Sequence, residues 1–230
     1  MRLLSTRSGQ VARGPVHHPL FARYYARISV GAESRLGMAG MRERLLAGLS
    51  GRVIEIGAGN GLNFRHYPGT VAEVVAIEPE SLLRQLALES ALRAEVPVDV
   101  VPGAAEALPV KSEAFDAAVL SLVLCSVRDV ARTLGEVRRV LRPGGEVRFF
   151  EHGRGGGRMM TVTQQTLDRT LWPVLNGNCH LSREPVSALR AAGFRLGPYR
   201  RVLLPERRRT LPASSCALGV AWRPEEPAAR

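Results

Sequence analysis

Two acids and a run of glycines are the first residues of this chain whose spacing could do chemistry. Glu55-Ile56-Gly57-Ala58-Gly59-Asn60-Gly61 closes one apolar run, and Glu78 closes the next. Glycines at 57, 59 and 61 let the backbone come close to a ligand, and Glu55 sets a carboxylate near that ligand's amino group or near the loop's own amides. A dinucleotide fingerprint needs G-x-G-x-x-G, and its third glycine would fall on Leu62. The spacing therefore argues against a loop built to seat a pyrophosphate. A carboxylate at Glu78 offers two oxygens to a vicinal diol, the interaction that strand-end acids make with ribose in nucleoside-binding α/β folds. The stretch Gly103-Ala104-Ala105-Glu106-Ala107-Leu108-Pro109 is a loop whose backbone groups suit an adenine edge. Beyond it lie Phe115-Asp116 with Ser121 to Val127, and Leu141-Arg142-Pro143-Gly144-Gly145 followed by Phe150-Glu151-His152. His152, just past a strand, has the type and place of a general base or an orienting group. Cys125 sits in an apolar run and reads as a core cysteine, as does Cys179.

These residues need a sheet to bring them together. Short apolar runs alternate with helical stretches, the pattern of a parallel sheet with crossover helices. Strands are predicted over 52–56, 73–77, 98–101, 117–122 and 146–150, with two closing strands near 199–204 and 210–222. Two helices precede the sheet between Pro19 and Gly48 and are placed to form a lid. Further helices are expected over 80–94 and 130–141, the latter with the stripe Val130, Leu134, Val137, Leu141. Arg142-Pro143-Gly144-Gly145 should end that helix and turn the chain. Ser182 is the expected N-cap and Gly193 the expected C′ residue of a late helix. In such a sheet the ligand lies beyond the carboxyl ends of the strands, where all five of these stretches fall.

The order and spacing of E-x-G-x-G-x-G, the strand-end acid, G-x-A-E-x-L-P, F-D and L-R-P-G-G over about residues 50–152 resemble the class I S-adenosylmethionine-dependent methyltransferases. Gly59-Asn60-Gly61-Leu62-Asn63-Phe64 with Tyr67-Pro68, Leu122 to Val127, Glu151-His152, and Trp172-Pro173 ahead of Cys179-His180-Leu181-Ser182-Arg183 narrow the likeness. They resemble the thiol S-methyltransferases and related small bacterial methyltransferases. The resemblance implies a Rossmann-like α/β fold: a seven-stranded, mostly parallel sheet with helices on both faces and an N-terminal helical lid. It implies S-adenosyl-L-methionine as cofactor and S-adenosylhomocysteine as product. Cofactor contacts would come from Glu55, Gly57, Ala58, Gly59, Asn60, Asn63, Glu78, Pro79, Ala105, Glu106, Ser121 and Leu122. Acceptor contacts would come from Tyr24, Tyr25, Trp172, Cys179, His180 and Arg183, with His152 as the catalytic candidate. A small, apolar acceptor such as a thiol is expected, with O-, N- or C-methylation as the alternative, and no metal is expected. Asn178 would take a left-handed conformation where relatives are richer in glycine.

Composition sets the outer bounds. A chain of 230 residues, 45% hydrophobic and 23% charged, suits one folded domain. Residues 1–16 read as a basic arm, 17–50 as the lid, 51–152 as the cofactor-binding core and 153–230 as the acceptor side. The three cysteines are far apart in sequence, which fits neither a disulfide framework nor a paired zinc motif and suits a reducing cytoplasm. No apolar stretch approaches the roughly 20 residues of a spanning helix. The +11 net charge raises nucleic acid as a partner. Lys111 is the sole lysine, however, so the excess is arginine, as codon bias in a GC-rich genome also produces. There is no Asn/Asp-Pro-Pro-Tyr motif and no aromatic-basic interleaving for stacked bases. The charge then reads as an arginine-rich surface around acids at Glu55, Glu78 and Glu106, and the expected partner is a small molecule.

Overall fold

The computed structural model describes residues 19–205 and 211–225; the expected basic arm over 1–16 lies outside them. Two helices, α1 (Pro19–Arg35) and α2 (Met38–Leu46), precede the sheet as expected. The strands are β1 (Gly51–Ile56), β2 (Val71–Ile77), β3 (Val98–Val101), β4 (Phe115–Ser121), β5 (Leu141–His152), β6 (Arg195–Leu203) and β7 (Ser215–Trp222). They form one seven-stranded sheet in the order β3-β2-β1-β4-β5-β7-β6. The first five run parallel, and β7 pairs antiparallel with both β5 and β6. The crossover helices are α3 (Ser81–Ala91) and α4 (Val130–Val140); α5 (Arg158–Asp168), α6 (Trp172–Leu175) and α7 (Pro185–Ala191) fill the stretch between β5 and β6.

Residues alternate across the sheet with the period of two that strands impose. Ile54, Ile56, Ala118, Leu120 and Phe149 join one core with Leu134 and Val137 of α4. Val53, Val74, Ala117, Val119 and Phe150 join the opposite core with Met41 and Leu45 of α2. Both faces are covered, as a mainly parallel sheet requires.

Two local expectations are corrected. Residues 142–145 lie within β5, opposite Asp116, where the register jumps from Phe115↔Leu141 to Ala117↔Glu146. The Pro-Gly-Gly stretch bulges the strand because its backbone skips pairing, and Gly144 takes a left-handed φ of 78°. Ser182 is not an N-cap: its N–H and hydroxyl both donate to Asp168, and α7 starts later behind Glu184. Gly193 does close α7, at φ 83° with its N–H donating to the Arg190 carbonyl.

Candidate active site

The switch between β1 and β4 puts their following loops side by side at the carboxyl edge of the sheet. Gly57 leaves β1 at φ 67°, and it and Ala58 both donate to the Ile77 carbonyl at 2.8 and 3.1 Å. A Cβ on Gly57 would stand 2.5 Å from the Val123 side chain of the loop after β4, so the two loops close on each other. Gly59 (φ 58°) lies beneath the Tyr25 ring, with a Cβ there 3.3 Å from it. Glu78 is buried and locks the edge: one oxygen accepts from the Gly59 N–H at 2.7 Å, the other from the Glu80 N–H at 2.9 Å. Burial pushes its pKa up to about 6. Each carboxylate oxygen keeps a further lone pair, so a diol can still bind. Pro79 follows it, and Arg84 donates to the carbonyls of both residues.

Glu55 is buried beneath the loop. Its oxygens accept from Asn63 Nδ2 at 2.8 Å and the Tyr67 hydroxyl at 2.7 Å. Asn63 in turn accepts from Arg42 at 2.6 Å, and Arg42 pairs with Glu33 of α1 at 2.8 Å, both partners being buried. Burial raises Glu55 to about 7. Asn60 donates to Ser29 of α1 at 3.1 Å. Glu55, Asn60 and Asn63 thus fasten the glycine loop to the helices above it. Arg42 was missed in sequence and Tyr67 was noted there without a role, since nothing local pairs residues 33, 42, 55, 63 and 67.

Glu106 Oε1 accepts from the Arg128 N–H at 2.9 Å, just ahead of α4. Ala105 beside it is buried in the core. At the end of β4, Ser121 Oγ is buried without a hydrogen-bond partner. Leu122 takes a left-handed φ of 59°, costly for a side-chain-bearing residue. That bend turns the N–H groups of Val123 and Leu124 onto Glu151 Oε1 at 2.9 and 3.0 Å. Glu151 is fully buried, its pKa is raised to about 7 by that burial, and its second oxygen has no partner. Its role was legible only as a strand-end acid on β5 that mirrors Glu78 on β2.

On the other side of that loop, Leu124, Cys125, Val130, His152, Arg183 and Pro185 border a cavity of about 190 Å³. Cys179 Sγ lies 3.5 Å from His152 Nδ1, and Cys125 joins them. Cysteines distant in sequence are therefore neighbours here, because the His180 N–H donates to the Cys125 carbonyl at 2.8 Å and Asn178 Nδ2 to the Ser126 carbonyl at 2.8 Å. Asn178 has the expected left-handed φ, 66°. Arg183 borders the cavity, and its Nη1 donates to the carbonyls of Leu124 and Val127 and pins the loop. Trp172 packs against the Cys125 and Cys179 cluster. His180 is half-buried, and burial lowers its pKa. Tyr24 is exposed, so of the two tyrosines only Tyr25 reaches the glycine loop. Phe21, one turn earlier, packs on Gly177, and α1 thus touches both the glycine loop and the segment carrying Cys179.

A Rossmann-like sheet whose glycine loop is covered by α1 is the class of fold that these elements define. A family model described as methyltransferase domain matches residues 54–149. Two human thiol S-methyltransferases are each 36% identical, over 155 and 157 residues, or 64% and 65% of this chain and 62% and 63% of theirs. The chain thus spans less than two thirds of the length of these relatives. A ubiquinone/menaquinone biosynthesis C-methyltransferase from Syntrophotalea carbinolica is 29% identical over 69% of this chain and 70% of its own. The methyltransferase solved with the Haloferax volcanii Trm112 activator superposes with a TM-score of 0.68 at 16% identity, covering 91% of this chain and 98% of that one. A Thermotoga maritima methyltransferase gives 0.65 at 21%, covering 89% and 98%. Residues 54–149 thus match a methyltransferase domain, and the sheet has the strand order of the class I methyltransferase fold.

Proposed function

We propose that the chain moves a methyl group from S-adenosylmethionine to a small, apolar acceptor, a thiol in the first instance. The observation that carries the cofactor assignment is the buried Glu78 carboxylate joined to the Gly59 amide at the sheet's carboxyl edge. The residues fit the group: Glu78 keeps lone pairs free at the sheet edge, and Ser121 Oγ is buried without a hydrogen-bond partner. Glu78 would hold the ribose and Pro79 would flank it, Gly57, Ala58, Gly59 and Asn60 would cradle the methionine end, and Ala105 would border adenine. Ser121 and Leu122 would close the pocket toward the acceptor. When bound, S-adenosylmethionine supplies a methyl group already activated on a sulfonium. The chain's own task is then to hold the acceptor close and in line, the source of most of such a rate enhancement. Tyr25 on α1 shields the loop from water. His152, at the cavity, orients the acceptor.

The thiol assignment draws on the apolar lining of the cavity and on the thiol S-methyltransferase activity of the human relatives. Among the described residues no helix is long and apolar enough to cross a membrane; a cytoplasmic enzyme acting on small molecules rather than nucleic acid completes the reading. A second reading, C-methylation of a quinone-like ring, is favoured by the Syntrophotalea relative. Labelled cofactor with matched panels of thiols, phenols, amines and quinols separates the two. Calorimetry with S-adenosylhomocysteine tests the site itself. Glu78→Ala removes two bonds to a charged group, each worth about 1.5–3 kcal/mol, so affinity should fall by at least about tenfold. Unchanged affinity would remove Glu78 from the ribose site.

A further inference from the structure

Cys125, His152 and Cys179 each offer one ligand atom, and the three atoms lie within 4.8 Å of one another. Among the described residues they are brought together from three separate elements: the loop after β4, the end of β5 and the segment before α7. A zinc ion bound tetrahedrally at about 2.3 Å to sulfur and about 2.0–2.1 Å to nitrogen separates those two atoms by about 3.6 Å. The Cys179 Sγ to His152 Nδ1 distance is 3.5 Å, the edge that such a tetrahedron needs.

The geometry points to a Cys2His zinc site built from Cys125, His152 and Cys179, with its fourth position open to the acceptor cavity. Two thiolates and an imidazole are the soft and borderline donors that favour zinc over magnesium or calcium. Cys125 and His152 both border the cavity, so a small ligand entering there can complete the tetrahedron. The surroundings suit a charged centre. Trp172 Nε1 is buried beside Cys179, and an N–H there stabilises charge on sulfur. The free oxygen of buried Glu151 adds a carboxylate next to His152. Three protein ligands and one exchangeable position are the arrangement of zinc centres that do chemistry rather than only hold a fold together. The fourth ligand suited to this donor set is a thiolate. That last step rests on the thiol reading of the acceptor, whereas the three-residue site does not.

The test uses the full chain, purified under reducing conditions, with zinc content read by plasma mass spectrometry and affinity read by chelator competition. Cobalt substitution supplies a second readout through its sulfur-to-metal charge-transfer bands. One equivalent of zinc is expected, with affinity at least about 100-fold weaker in Cys125→Ser and in Cys179→Ser. Cys216→Ala, whose thiol is outside the cluster, should bind as the parent does. Binding of S-adenosylhomocysteine by each variant reports that it is folded, and it separates failure of the zinc site from failure of the methyltransferase reading. A reduced chain that takes up no zinc, or zinc retained by a folded Cys125→Ser/Cys179→Ser double variant, overturns the assignment. So does a Cys125–Cys179 disulfide in peptide mass analysis together with no metal uptake after its reduction.

Discussion

Glu55→Gln separates a carboxylate that holds the glycine loop from one that binds a ligand. Glu55 ordinarily titrates near 4.5 and is raised to about 7 in the fold, chiefly by burial. Between those values the folded state keeps a proton that the unfolded chain has released, so stability must fall as pH rises through the window. The loss is complete above the folded pKa. A shift of this size, at about 1.4 kcal/mol per unit, corresponds to about 3 kcal/mol. Glutamine has the same shape and no charge. Its carbonyl can still accept from Asn63, and the Tyr67 hydroxyl can rotate to accept from its amide. Urea unfolding of both chains from pH 5 to pH 8 should show the variant gaining on the parent by up to about 3 kcal/mol across the series. S-adenosylhomocysteine affinity should stay within about threefold. Parallel pH curves would refute the burial argument, and a large loss of cofactor affinity would return Glu55 to the ligand.

Two further outcomes follow from the geometry. Gly61→Ala should lower stability by at least about 2 kcal/mol in thermal or urea unfolding, because φ is 75° and the new Cβ would meet the Phe64 ring at 2.6 Å and Ser90 at 2.9 Å. Arg183→Ala should cost about 1–3 kcal/mol by leaving the Leu124 and Val127 carbonyls without their donor, and should raise the acceptor KM more than the cofactor KM; an unchanged acceptor KM would separate Arg183 from the cavity.

The fold was readable because its signals are local. Alternating strands, the glycine loop and the Gly193 helix end need only neighbours in sequence. Glu78 was readable for the same reason, as an acid at a strand end. What escaped was the work done by side chains across long separations. Glu55 carries a motif position, yet its partners Asn63 and Tyr67, and Arg42 behind them, are assembled by packing. Glu106 matches a family pattern and spends its carboxylate on the amide ahead of α4. Arg183 pins the loop after β4 through carbonyls 56 and 59 positions away, a contact that no local pattern carries. Cys125 and Cys179 are 54 positions apart with no paired spacing, and only the approach of the Trp172–Arg183 segment to the β4 loop makes them neighbours.

Helix α1 lays Tyr25 on Gly59 and Phe21 on Gly177, so a single rigid rod covers both halves of the cleft. For the proposed reaction this couples traffic at the two ends. An opening wide enough to discharge the spent nucleoside also uncovers the acceptor side, and neither ligand can be exchanged while the rod is seated. Turnover would then be paced by the rate at which α1 unseats from its Glu33–Arg42 clasp, and product release, rather than methyl transfer, becomes the step that solvent viscosity slows.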